Sequence, residues 1–303
     1  MNFNNDDEPS LETGYKNIFE MIEKLMPDIF WWLDRKTKTI DFLSDGLSNF
    51  NVERRMHNFP ESIINRGIIV DDNLSTVELI KDAIKHNKEL SFELQLNSKD
   101  NELSWYKIQY HIIETKTVSA IFGLLININE IKNYEYLSKF DTLTGCLNKI
   151  TTEKNITSTL NHSYYTDIHA LFVVDIDSLK SINDTFGHPF GDVVIAEIGC
   201  RLRNIVREDD IVGRIGGDEF IVFVKTLKNA HEIIGQAERI LNVLNCTVCK
   251  GDIHCHVSAS IGVVVSTTNV DTFQELYKKA DGAMYESKRQ GKNRYSIFTD
   301  DMI

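Results

Sequence analysis

Residues 214–220 read Arg-Ile-Gly-Gly-Asp-Glu-Phe, two acids set directly behind two glycines. The segment lies between the apolar runs Ile211-Val212 and Phe220 to Val224, which read as strands. Paired glycines there predict a hairpin turn, because they accept positive φ and leave the backbone bare. Asp218 and Glu219 are thus expected on an open turn, where carboxylates suit a hard cation and its phosphates. Upstream, Leu171 to Val174 reads as a buried strand ending at Asp175. Carboxyl ends of strands are where α/β proteins place ligand groups. Beyond it come Asp177, Lys180, Asn183, Asp184, Gly187, His188, Gly191 and Asp192. Lys180 and Asn183 share a helix face at their spacing. Gly187 and Gly191 bracket a turn before a second helix starting near Asp192. A strand-end acid, a hairpin acid pair, a lysine and an amide compose a nucleotide–metal site. Taken alone, Asp175 reads equally well as a helix cap.

Four segments follow one another along the chain: Asp141 to Asn148, Asp175 to Asp192, Gly216 to Phe220, and Ala280-Asp281 through Asn293. Over residues 138–300 they resemble the GGDEF domain of diguanylate cyclases. The resemblance implies an α+β fold, nucleotidyl-cyclase-like, with a central mainly antiparallel sheet flanked by helices. It implies condensation of two GTP into cyclic di-GMP and two pyrophosphates. It also implies Mg²⁺, with Mn²⁺ as the alternative, on Asp175, the carbonyl of Ile176, Asp218 and Glu219. Asp218 and Glu219 are then the catalytic acids, and Glu219 is either a metal ligand or the acceptor of the hydroxyl proton. Lys180, Lys288 and Lys292 fall on phosphate-binding positions. Lys292 stands where the family often has arginine, which keeps the charge and loses the bidentate fork. Asn183 and Asp192 fall on guanine-binding positions. His188 is either a nucleotide contact or a helix-entry residue. Arg207-Glu-Asp-Asp210, with Arg207 nine residues before Gly216, matches the family's allosteric product site. The same four residues also read as the solvated end of a helix over Val193–Val206. One half-site per chain implies a two-fold homodimer.

The 303 residues suffice for two domains. Residues 15–26 carry helical spacing at Tyr15, Ile18, Phe19, Ile22 and Leu25. Phe30 to Asp34 and Thr39 to Phe42 read as a hairpin around Lys36-Thr37-Lys38, with helices after it. Phe92, Leu94 and Leu96, then Tyr106, Ile108, Tyr110 and Ile112, alternate with polar residues, and Val118 to Ile126 is apolar throughout most of its length. Alternation buries one sheet face and wets the other. With Trp105-Tyr106 and Gly123…Asn127 to Glu130, this order resembles a PAS sensor domain, an antiparallel-sheet fold whose ligand or signalling partner the sequence leaves unknown. The division expected is 1–19 tail and helix, 20–128 PAS-like, 129–140 linker helix, 141–303 GGDEF. Ile128, Ile131, Tyr134, Leu137 and Phe140 form a narrow stripe along the linker helix. It fits either packing on its own domain or a short parallel coiled coil.

A net charge of −12 argues against broad nucleic-acid or anionic-membrane binding. No apolar stretch reaches the roughly 18 residues of a membrane helix, no signal-peptide pattern is present, and five cysteines without a small secreted framework fit a reducing cytosol. A cytoplasmic location is therefore expected. Cys246, Cys249, His254, Cys255 and His256 suggest zinc by composition. No second Cys-x-x-Cys exists, however, and strand alternation would turn Cys255 away from both histidines. His57, His86 and His111 do not make a haem site by themselves. Two other functions compete with the cyclase: a catalytically silent cyclic di-GMP receptor, and a PAS interaction module.

Overall fold

The computed structural model describes residues 28–44, 49–70, 91–116, 118–163, 167–266 and 272–299, with Glu78 and Asp82. The helix expected over 15–26, the 1–19 tail and His86 lie outside the described residues, as do 45–48 and all of 71–90 but Glu78 and Asp82. Contacts divide the chain into two units, Met1–Tyr134 and Glu135–Ile303.

In the first unit, β1 (Ile29–Asp34), β2 (Thr39–Phe42) and β3 (Arg55–Met56) are followed by a single helical turn, α1 (Glu61–Ile64). Then come β4 (Ile69–Val70), β5 (Ser91–Asn97), β6 (Leu103–Glu114) and β7 (Ser119–Asn127). They form one sheet in the order β3-β2-β1-β7-β6-β5-β4, and every pairing is antiparallel. Alternation buries Ile29, Trp31 and Leu33 on one face. Trp31 lies opposite Gly123, where any Cβ would strike the indole ring. That face encloses a cavity of about 80 Å³ walled by apolar and aromatic side chains, among them Trp31, Phe50, Tyr110 and Leu125.

The helix α2 (Asn129–Lys139) runs from the first unit into the second. It buries none of its own residues. Ile131, Tyr134 and Leu137 are 54%, 69% and 42% exposed, so the middle of the stripe predicted from sequence faces solvent, whereas Ile128 at its start is buried and Phe140 at its end is half-buried.

The second unit is an α+β domain. Its helices are α3 (Lys149–His162), α4 (Leu179–Phe186), α5 (His188–Ile205), α6 (Ala230–Leu244) and α7 (Phe273–Arg289). Its main sheet joins β8 (Ile168–Ile176), β9 (Ile211–Arg214), β10 (Glu219–Leu227), β13 (Ala259–Ser266) and β14 (Arg294–Ile297) in the order β14-β13-β8-β10-β9. Only β13 and β14 run parallel. The central strand β8 is apolar without alternation because both faces are covered. Phe172 and Val174 join the core beneath α4, α5 and α6, whereas Leu171 and Val173 join a second core beneath α3 and α7.

The α4–α5 corner corrects the sequence reading. α5 begins at His188 rather than near Asp192, and Gly191 lies inside it. Gly187, at φ 82°, ends one helix and opens the next, and Pro189 fits the first turn where no N–H is needed. Gly191 is required for space: a Cβ there would land on Asn183 Oδ1.

β11 (Cys246–Lys250) and β12 (Ile253–Val257) form a separate two-stranded ribbon. Cys249 pairs with His254 and Val248 with Cys255, so Cys246 and Cys255 share one face while Cys249, His254 and His256 share the other. Among the described residues no helix is long and apolar enough to cross a membrane.

Candidate functional site

Three acids meet where β8 ends and β10 begins. Asp175 is the register partner of Glu219, and the Ile176 N–H donates to the Asp218 carbonyl at 3.2 Å. Asp175 is 6% exposed. Burial pushes its carboxyl above the ordinary range, Lys288 pulls it back, and the charges of Asp218 and Glu219 push it up again. Lys288 Nζ meets Asp175 Oδ2 at 2.7 Å. This ammonium stands where a bound cation would neutralise the acid.

The turn carrying Asp218 is held by one arginine. Arg214 Nε donates to the Gly216 carbonyl at 3.1 Å and Nη2 to the Gly217 carbonyl at 2.8 Å. Its Nη1 meets both carboxylate oxygens of Asp141 at 3.1 and 3.2 Å. Asp141 also accepts the N–H and hydroxyl of Thr144. Burial alone would raise the Asp141 carboxyl, but the bonds from Thr144 and Arg214 outweigh it and hold the group below its usual range. The sequence reading missed this role of Arg214. The glycine argument also needs correction, since neither Gly216 nor Gly217 has positive φ. Gly217 opens onto empty space, so its contribution is an uncovered backbone rather than a left-handed turn.

α7 presents Tyr277, Asp281 and Lys288 at spacings that share a helix face. The Tyr277 hydroxyl hydrogen-bonds Glu219, and burial together with the charges of Glu219 and Asp281 pushes it up to about 12. Tyr277 is a second residue absent from the sequence reading, because an aromatic at core spacing on a helix carries no polar signal.

Lys180, His188 and Asp192 are exposed, and none makes an ion pair among the described residues. Asn183 Oδ1 is buried without a hydrogen-bond partner. Leaving such an atom unpaired costs about 1–3 kcal/mol, so it is a place where a ligand donor gains. Lys292 follows α7 in a left-handed turn at φ 62°, its Nζ donating to Ser178 Oγ at 2.9 Å. Asp175, Asp218, Glu219 and Lys288 thus form one cluster, Asn183 and Asp192 flank the α4–α5 corner, and Lys292 reaches the residue that begins α4.

Arg207 and Asp210 lie at the other end of β9. Asp210 Oδ2 accepts the Arg207 N–H and Oδ1 accepts the Lys225 N–H, both at 3.0 Å. The Arg207 guanidinium is exposed and makes no ion pair among the described residues. Arg203, Arg207, Asp210 and Lys225 line a groove of about 600 Å³. α5 ends at Ile205, so the Arg207–Asp210 segment is a turn beyond the helix rather than its last turn.

No ready-made cage of three or more metal-binding side chains exists among the described residues. Asp175, Asp218 and Glu219 instead offer hard carboxylate oxygens of the kind a divalent cation takes, with water and phosphate oxygens completing its shell. The clustered acids and the cation already seated on Asp175 fit such an ion.

The second unit is an α+β domain with Asp175, Asp218 and Glu219 at one sheet end, Lys288 of α7 against Asp175 and an unpartnered Asn183 amide oxygen at the α4–α5 corner. Residues 138–294 match the family model "Diguanylate cyclase, GGDEF domain", and the chain belongs to the GGDEF family. It is 24% identical over 298 residues to diguanylate cyclase A of Treponema denticola, covering 91% of this chain and 77% of that protein. It is 30% identical over 167 residues to the bifunctional diguanylate cyclase/cyclic di-GMP phosphodiesterase MucR of Pseudomonas aeruginosa. That match covers 55% of this chain and spans only 24% of MucR. The solved GGDEF domain of TpbB (YfiN) from Pseudomonas aeruginosa superimposes at a TM-score of 0.50 with 29% identity, over 54% of this chain and 96% of that one.

Proposed function

We propose that this protein is a diguanylate cyclase that joins two GTP into cyclic di-GMP with release of two pyrophosphates. The observation that carries the reading is the convergence of Asp175, Asp218 and Glu219 at one strand end, with Lys288 against the most buried of them. In each of two transfers a 3′-oxygen bonds to the α-phosphorus of the other nucleotide. Pyrophosphate leaves, and the hydroxyl proton passes to a carboxylate or to solvent. Such chemistry asks for charge neutralisation and alignment more than for covalent help.

Asp175, the Ile176 carbonyl, Asp218 and Glu219 would hold Mg²⁺ or Mn²⁺, which when bound polarises the phosphate oxygens. Glu219 serves either as a further ligand or as the group that takes the hydroxyl proton. Lys180, Lys288 and Lys292 serve the phosphates as point charges. Asn183 and Asp192 read guanine: the unpaired Asn183 oxygen and a free carboxylate both accept from N–H groups of that base. His188, exposed in the first turn of α5, adds a nucleotide contact. Two chains face each other as a two-fold homodimer, because each offers one half-site.

Residues 20–128, within the first unit, act as a PAS-like sensor, and the strand order and one-sided core of that unit support the reading. The described residues that line its cavity are apolar and aromatic, which suits an uncharged ligand. Residues 129–140 couple sensor to catalysis through a parallel coiled coil built on the exposed Ile131–Tyr134–Leu137 stripe. Product binds at Arg207 and Asp210 and shifts the chain toward a non-productive arrangement. The groove with its free guanidinium equally suits a silent cyclic di-GMP receptor, and one assay separates the two. The full chain, incubated with GTP and Mg²⁺, should yield cyclic di-GMP, and Asp218→Ala should abolish the yield while the circular dichroism spectrum persists. Product formation by Asp218→Ala within about tenfold of the parent would overturn the site; a parent that binds cyclic di-GMP without turnover would establish the receptor.

A further inference from the structure

Asp177 follows β8 immediately and is 7% exposed. Its Oδ1 accepts the Ser260 hydroxyl at 2.6 Å. Its Oδ2 accepts the Ser258 hydroxyl at 2.7 Å and the Asn293 N–H at 3.0 Å. Its own N–H donates to the Ser258 carbonyl at 2.9 Å. A buried carboxylate already serving three donors has little left to offer a ligand.

What Asp177 grips is the turn after α7. Gly291, Lys292 and Asn293 have φ of 116°, 62° and 46°, three left-handed residues in succession, two of them not glycine. Such backbone persists only where the surroundings impose it. Two bonds impose it from outside the turn. One is the Asp177–Asn293 bond, and the other is Lys292 Nζ on Ser178 Oγ at 2.9 Å. Ser178 is itself left-handed, at φ 58°. Inside the turn, the Lys292 N–H donates to the Ser287 carbonyl at 3.1 Å, and the Ser287 hydroxyl is buried on the Ile261 carbonyl.

We infer that Asp177 is a positioning residue that fixes Lys292, and the end of α7 bearing Lys288, over the end of β8, so that both ammonium groups meet the triphosphate. The inference rests on the nucleotide reading of this site. Asp177 bonds neither Asn183 nor Asp192, so the guanine half does not depend on it. Its loss should weaken grip on the phosphates and spare grip on the base, a split that general destabilisation does not produce.

The test is binding of 3′-deoxy-GTP, which lacks the attacking hydroxyl, and of guanosine, in the presence of Mg²⁺. Asp177→Asn keeps the shape but loses the charge and replaces one of the two accepting oxygens with an NH₂, so the three donors split between Oδ1 and Oδ2 are no longer all served by a carboxylate. It should weaken 3′-deoxy-GTP binding by about tenfold or more, the usual scale for a lost charge-assisted contact, and leave guanosine within about twofold. Lys292→Met should weaken 3′-deoxy-GTP in the parent and add little in the Asp177→Asn background. Hydrogen exchange at the Asn293 amide should rise while β8 stays protected. If Asp177→Asn does not fold, Ser258→Ala combined with Ser260→Ala removes the hydroxyl anchors, and the same split is required of it. Equal weakening of both ligands, no weakening, or additive lysine and aspartate effects would overturn the inference. A parent that binds 3′-deoxy-GTP no more tightly than guanosine would overturn it too. A parent that shows the split yet forms no cyclic di-GMP from GTP would overturn the cyclase reading and leave the positioning role standing.

Discussion

The β9–β10 hairpin has two polar ends, and they spend their charges in opposite ways. At the turn, Arg214 is fully engaged with Gly216, Gly217 and Asp141, while among the described residues Asp218 makes no ion pair and the Glu219 carboxylate meets the Tyr277 hydroxyl. At the far end the acid is engaged: both oxygens of Asp210 accept backbone N–H groups, and among the described residues the Arg207 guanidinium makes no ion pair. One strand, β9, of four residues separates them, roughly 13 Å at about 3.3 Å per residue. The turn therefore offers unspent negative charge and suits a cation. The far end offers unspent positive charge and suits an anion or the acceptor edge of a base. A ligand at one end need not exclude a ligand at the other, which is the geometry non-competitive regulation requires.

The largest expected effect tests the acidic end. Asp175 carries a buried carboxyl that binds its proton more tightly folded than unfolded, because burial raises it. Ionising it therefore costs the fold stability, a cost that sets in above the ordinary carboxylate pKa and is complete once pH passes the raised folded value. Asp175→Asn should abolish turnover yet raise the melting temperature wherever the native carboxyl is ionised, with the gain shrinking as pH falls through its raised pKa and gone below the unfolded carboxylate range. Lys288 loses a partner in the variant, but it is 31% exposed and can turn to water. Loss of activity accompanied by a lower melting temperature would mean that the acid is held for packing rather than for charge.

Asp192→Ser is expected to act next. A site that accepts from guanine N–H groups rejects adenine by leaving polar groups unpaired, and removing the carboxylate relaxes that penalty. The ratio of kcat/KM for GTP over ATP should fall by about tenfold or more. An unchanged ratio would leave Asn183 as the base reader.

How much of this was legible beforehand depends on the kind of signal. The GGDEF turn, Asp175 at its strand end and the Lys180–Asn183 helix face follow from residue type and short spacing, and the structure reproduces their local setting. Gly191 was misread as a turn residue because its reason is tertiary: Asn183 occupies the space a Cβ would need. Arg214, Tyr277 and Asp177 went unread because their partners lie far along the chain, at Asp141, Glu219 and Asn293. Period and composition cannot report a bond between segments that only the fold brings together. The alternating strands of the first unit were readable for the same reason that the turn was, since their signal repeats every second residue.

Arg207→Ala tests the basic end. If product grips the free guanidinium, the midpoint of inhibition by added cyclic di-GMP should move up by more than about tenfold, the scale of a charge-assisted contact. Because Asp210 is tied to the Arg207 and Lys225 backbone, Asp210→Ala should both relieve inhibition and loosen the loop, whereas Arg207→Ala should leave the melting temperature within about a degree, as surface substitutions usually do. Superimposable inhibition curves for parent and Arg207→Ala would return this segment to a solvated turn.

The smallest effect, and the finest division between the two ends, comes from Tyr277. Its ring stacks on Phe273 at 6.0 Å, and its hydroxyl bonds Glu219. Tyr277→Phe keeps the ring and removes only the bond, so the fold should hold while Glu219 gains rotamer freedom. If that carboxylate works in the reaction, kcat should fall several-fold with KM for GTP little changed, because an interaction that matters mainly in the transition state has been loosened. The response to added cyclic di-GMP should not move, since Tyr277 bonds nothing at the Arg207 end. A change confined to KM would make the hydroxyl part of ground-state binding. A shift in the inhibition curve would show that the two ends of the hairpin are not independent, and would break the comparison itself.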